Sequence, residues 1–86
     1  MELKEFEELT LDEKANLRNL YQIAKKLPIS KHIILLKPVL QFELQELFIG
    51  RECTTIAGIY TVLKHTKFTK YIYILPVKNN RKNGER

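Results

Sequence analysis

Residues 10–28 spell out a helix completely: its start, its buried face and its end. Thr10-Leu11-Asp12-Glu13 forms a capping box, in which the Thr10 hydroxyl accepts a backbone N–H left over by the first turn and Glu13 reaches back to the cap residue. Leu17, Leu20, Tyr21, Ala24 and Leu27 then recur at i, i+3, i+4, i+7 and i+10, an apolar stripe on a 3.6-residue period. Asp12, Asn16, Asn19 and Lys26 fall mostly on the opposite side. Asp12 and Glu13 at the start and Lys25 and Lys26 at the end suit the helix dipole, and Pro28 opposes continuation.

Size limits what can surround that helix. A chain of 86 residues buries only about 60% of the surface its unfolded form exposes, which allows one modest core and no second domain. The expectation is a single domain over 1–77 and a basic, turn-rich, flexible tail over 78–86. A 44% hydrophobic fraction with three glycines argues against wholesale disorder. Leu3, Phe6 and Leu9 predict a short turn on the same core, with the neighbouring glutamates in water. The acidic opening residues do not resemble a secretory signal, and the longest uninterrupted apolar runs, such as Ile33 to Leu36, are far too short to cross a bilayer. With a single cysteine, Cys53, the natural setting is reducing and cytoplasmic, with no membrane contact.

The remaining elements are less explicit. Lys31 to Pro38 contains a four-residue apolar run that fits either a buried strand or part of a buried helix, and Pro38 ends either one. After it, Leu40, Leu44, Leu47 and Phe48 share a helical face, Phe42 is an entry residue and Gly50 a C-cap. Residues 54–65 predict a further helix that buries Ile56, Ile59, Tyr60 and Leu63. Gly50 to Cys53 would be the short turn between the two, the spacing of a helix-turn-helix. Lys70 to Val77 then has the aromatic and β-branched composition of a strand, which Pro76 confines to an edge or closes. On that strand Tyr71 and Tyr73 would share one face, offering a platform for core packing, an interface or base stacking.

Two resemblances attach to these residues. Gly58-Ile59-Tyr60 followed by Tyr71-Ile72-Tyr73 resembles the paired motif of GIY-YIG nucleases. Tyr73 stands where the second motif has glycine, however, and only thirteen residues follow it. That leaves no room for the catalytic Arg and metal-binding Glu of such a domain, and Glu85 sits in the tail. More broadly, residues 40–86, including the Phe-x-Leu-x-x-Leu-Phe segment from Phe42 to Phe48, resemble small winged-helix proteins of low-GC Gram-positive bacteria and their phages. The resemblance implies an α+β, winged-helix-like fold, a helix-turn-helix with a small antiparallel β element. The second strand of a wing is missing from the described pattern or lies in the tail. It also implies a regulator that contacts duplex DNA, commonly as a homodimer.

Charge is compatible with that role. Residues 1–13 hold six acids and one base, whereas residues 14–86 hold four acids and fourteen bases. The outward face of the 54–65 helix would be Thr54, Gly58, Thr61 and His65, with Thr55 beside them, small enough to sit deep in a major groove. Arg51, Lys64, Lys67 and Lys70 flank it, and Lys78, Arg81 and Lys82 extend the positive charge; all are placed to contact phosphates. His32, His65 and Cys53 show no metal-ligand spacing, and Ser30 is the only serine. No metal, cofactor or enzymatic activity is therefore expected. A second reading stays open: a phage- or plasmid-type interaction module that binds a host protein or associates with itself. A large exposed apolar patch would favour a protein partner, and a basic, patch-free helix face would favour DNA.

Overall fold

The computed structural model describes residues 3–28, 32–74 and 77–78. Helix α1, Leu11–Lys25, begins at Thr10, where Glu13 N–H donates to Thr10 Oγ1 at 3.1 Å and Thr10 N–H donates to Glu13 Oε1 at 2.9 Å. It ends at Lys26 in the left-handed region, φ 58°, with Leu27 N–H closing onto Gln22 O at 2.8 Å. Leu17, Leu20 and Ala24 are buried and Tyr21 is half-buried, as the stripe predicts. Leu27 lies beyond the cap and is exposed.

Ahead of α1, a 3-10 turn over Phe6–Glu8 brings Leu9 into the core. After α1, residues 34–37 run extended, burying Ile34 and Leu36 and turning Leu35 outward. Helix α2, Pro38–Leu47, uses Pro38 in its first turn, where a missing N–H costs nothing. It buries Leu44 and then Phe48, with Leu40 and Leu47 half-buried beside them. Gly50 follows at φ 73°, a conformation open to glycine without a Cβ clash. Helix α3, Ile56–Leu63, is capped by Thr55, whose Oγ1 accepts from Gly58 N–H at 3.0 Å. It buries Ile59, Tyr60 and Leu63 against α1.

The fold is helical, and the α+β winged-helix expectation is corrected on two counts. First, the connection between α2 and α3 runs over 48–55, well beyond the roughly three-to-four-residue turn of a helix-turn-helix. It is held on α1 instead: Lys25 Nζ donates to Phe48 O at 3.2 Å and to Glu52 Oε2 at 2.9 Å, and Cys53 N–H donates to Tyr21 Oη at 3.1 Å. Second, the strand predicted over Lys70 to Val77 opens instead in a 3-10 helix, Lys67–Tyr71, that continues helical through Ile72; residues 75–76 lie outside the described residues, and Val77 alone of that stretch is paired as a strand. Thr66 caps it by accepting from Phe68 N–H at 3.1 Å, and Phe68 and Ile72, four apart, both enter the core. Local β preference gives way to that burial.

Among the described residues, extended pairing is limited to a two-residue antiparallel ladder, His32 with Lys78 and Ile33 with Val77. No wing is formed. No helix among the described residues is long and apolar enough to cross a membrane.

One further departure concerns α1. Asn16 and Asn19, read as solvent-facing, are both buried to 1% exposure. Asn16 Nδ2 donates to Ile72 O at 2.9 Å and to Ile74 O at 2.7 Å, clasping the segment after α3 onto α1.

Candidate functional site

Two surfaces deserve comparison as working faces: the outward side of α3 and the outward side of α2. On the first, Thr54, Thr55, Thr61 and His65 are exposed, while Gly58 and Lys64 are half-buried. Several of these side chains already serve the helix. Thr55 is its cap, Thr61 Oγ1 donates to Ala57 O at 3.0 Å, and His65 takes φ 72° where the chain leaves α3. Gly58 leaves room for the cap hydroxyl, which a β-carbon at that position would approach to 3.3 Å.

The flanking cations are dispersed. Lys67 Nζ meets Glu43 Oε1 at 2.5 Å, Arg51 Nε donates to Leu47 O at 3.0 Å, and the Lys64 and Lys70 ammonium groups lie over the rings of Tyr60 and Tyr71. The Lys78 backbone pairs with His32, and Arg81 and Lys82 lie outside the described residues.

The acidic arm adjoins this face. A polar cavity of about 270 Å³ separates residues 3–7 from Ala57, Tyr60, Thr61, Lys64 and His65, with Glu5 and Glu7 on its wall. Tyr60 fastens the arm: its Oη donates to Lys4 O at 2.5 Å and lies 3.1 Å from Tyr73 Oη, which accepts from Lys4 N–H at 3.3 Å. Burial first, and then the neighbouring Tyr73 hydroxyl, push the Tyr60 phenol well above its usual range. Lys4 Nζ also holds Glu13, at 2.9 Å. Partial burial acts to raise the Glu13 carboxyl, but hydrogen bonds from Thr10 and Lys4 outweigh it and leave the group below its ordinary value. The two tyrosines expected on one strand face thus part company, because Tyr73 turns inward to this network.

The second surface was not singled out from the sequence. Val39 and Phe42, i and i+3 on α2, are 63% and 60% exposed, and Leu35 and Ile49 at its two ends are 72% and 68% exposed. Helix α2 carries apolar residues on more sides than the core can take, and the surplus faces water. That signal was present in the run from Val39 to Ile49, where only one face was assigned. Beside the stripe, an open cavity of about 460 Å³ lies between α2 and the segment after α3, lined by Glu43, Glu46, Leu47, Thr66, Lys67 and Phe68.

Among the described residues no group of three or more His, Cys, Asp or Glu side chains is placed to hold a metal. No protein-family model, curated protein or solved structure matches the chain.

Proposed function

We propose that the chain is a protein-interaction module, working in the cytoplasm, that docks a protein partner on the outward face of α2. The supporting observation is that Val39 and Phe42 on α2, and Leu35 and Ile49 just beyond its two ends, stay in water while the helix buries its other face. Small soluble monomers seldom expose contiguous apolar surface beyond a few hundred Å², and larger patches mark interaction sites.

The test is site-specific photo-crosslinking, with benzoylphenylalanine placed at position 42 or at position 61 in intact cells. A discrete protein adduct from position 42 and none from position 61 is expected. Absence of any protein adduct from position 42 would reject the module.

Duplex DNA binding is the second reading, favoured by the basic balance of residues 14–86 and by the exposed threonines and His65 on α3. Against it stand Glu5 and Glu7 beside that face and the use of Lys67 by Glu43. Fluorescence anisotropy of a random duplex at two salt concentrations separates the readings. Affinity that falls steeply with salt, and is lost on changing Lys64, Lys67 and Lys70 together to Ala, would establish the DNA reading.

A further inference from the structure

We propose that the partner docking on α2 is an amphipathic helix of another protein that carries an arginine among its apolar anchors, with that arginine set against Glu46. The inference rests on the interaction-module reading and names the chemistry of its occupant.

It starts from where Glu46 stands. At about 100° per residue, Val39, Phe42 and Glu46 project from one side of α2, and all three are exposed. The carboxylate is thus interposed in the apolar stripe. A surface laid over Val39 and Phe42 also closes over Glu46, one turn further along, before it reaches Ile49.

The chain itself does not neutralise that charge. Among the described residues the Glu46 carboxylate makes no ion pair. The cations around it are engaged elsewhere: Lys67 Nζ on Glu43 and Arg51 Nε on Leu47 O. Lys37 lies nine residues back, about 14 Å along the axis. Taking a lone carboxylate out of water is strongly unfavourable, so an all-apolar or an acidic partner is disfavoured on this face. A partner that brings a cation to that point instead gains a fixed register. Arginine suits the place better than lysine. Its fork meets a carboxylate through two parallel bonds, and its plane can lie on the exposed Phe42 ring one turn away.

The relief beside the stripe fits a helix as the carrier. The open cavity of about 460 Å³ has half-buried Leu47 and buried Phe68 as its apolar wall, with Glu46 and Lys67 exposed at its edge. An apolar ridge with an apolar depression alongside accepts anchors from successive turns of one helix, one against Val39 and Phe42 and one in the cavity. Glu46 borders both, so the arginine falls between the two anchors.

A phage-displayed library of randomised helical peptides, selected on the full chain, tests this. Enriched sequences should carry large apolar residues at i, i+3 or i+4 and i+7 with an arginine between them, and Phe42→Glu should not retain them. For the tightest synthetic peptide, anisotropy should show binding weakened at least about tenfold by Glu46→Gln. Glu46→Arg should prefer the peptide whose arginine is changed to glutamate. Position 46 is exposed and makes no ion pair, so the melting temperatures of both variants should match wild type. Enriched peptides without a cation, binders indifferent to Glu46→Gln, or no enrichment at all would overturn the proposal. So would a second copy on this face, seen as a mass that doubles with concentration and stays single in Phe42→Glu. The two levels of the reading fail differently. Any of these results alongside a position-42 adduct to another protein in cells removes the arginine-bearing helix and keeps the module, whereas absence of the adduct removes the module whatever peptides are selected.

Discussion

Over Tyr60 the chain lays its own residues 3–9, with Phe6 at a ring-centroid distance of 6.2 Å, Leu9 in the core and Lys4 bonded to both tyrosine hydroxyls. Over Phe42, among the described residues, it lays nothing, and the ring stays 60% exposed. Both aromatics sit on short helices, and the covered one belongs to the more apolar of the two, α3, so a surplus of apolar residues does not by itself decide which face stays open. The difference lies in polar anchoring. The arm side supplies hydrogen bonds that hold a covering segment in place, while Val39 and Phe42 carry no polar atom with which to make one. An apolar face without a built-in cover is the one available to another molecule.

That contrast can be broken from its closed side first. Asn16→Ala removes both bonds to the 72–74 segment and leaves the carbonyl of fully buried Ile72 without its donor. The expected loss is about 2–3 kcal/mol in urea unfolding. A loss under about 1 kcal/mol would mean that the clasp is not what fixes Tyr73 beneath the arm.

A smaller effect is expected at the hinge between arm and α1. Glu13→Gln weakens the capping box and the Lys4 pair and should cost about 1 kcal/mol at neutral pH. The folded carboxyl titrates below its ordinary 4.5, so the unfolded chain binds the proton first as pH falls. Its contribution is therefore complete above pH 4.5 and drains away as pH drops through the lower folded value. The Gln variant should show a shallower acid limb, and an identical limb would remove Glu13 from the acid response.

The smallest effect sharpens the open side. Phe42→Ala should shift monomer stability by no more than about 0.5 kcal/mol, measured by dilute thermal unfolding. A loss comparable to that of a core truncation would show that Phe42 packs within its own chain.

Much of this architecture is legible in the sequence where local rules and burial agree. The capping box, the α1 stripe through Ala24 and the inward residues of α3 follow from spacing alone. Reading failed where a residue's chemistry had two outlets. Asn16 and Asn19 were assigned to solvent by polarity, yet the Asn16 amide finds two backbone carbonyls inside and is held there by them. Tyr71-Ile72-Tyr73 has strand composition, but Thr66 supplies a cap and the spacing of Phe68 to Ile72 rewards a helical turn. The exposed α2 face is visible as surplus apolar residues, although which face wins the core depends on α1 and α3. Of the candidate DNA contacts, Arg51, Thr54, Thr55, Thr61, His65, Lys67 and Lys70 are exposed around α3, and the engagement of Lys67 with Glu43, of Arg51 with Leu47 and of Lys64 and Lys70 with tyrosine rings is tertiary information.

The Asn16 clasp also bears on how the chain comes into being. Its partners lie 56 and 58 residues further along, so during synthesis α1 emerges long before the carbonyls that satisfy it. Until residues 72–74 arrive, docking α1 fully would strand a carboxamide away from water, a cost that disfavours tight docking of the nascent helix. Closing so long a loop is the entropically demanding step, and it comes after the local helices have formed. The buried asparagine thus couples full closure of the core around α1 to the arrival of residues 72–74.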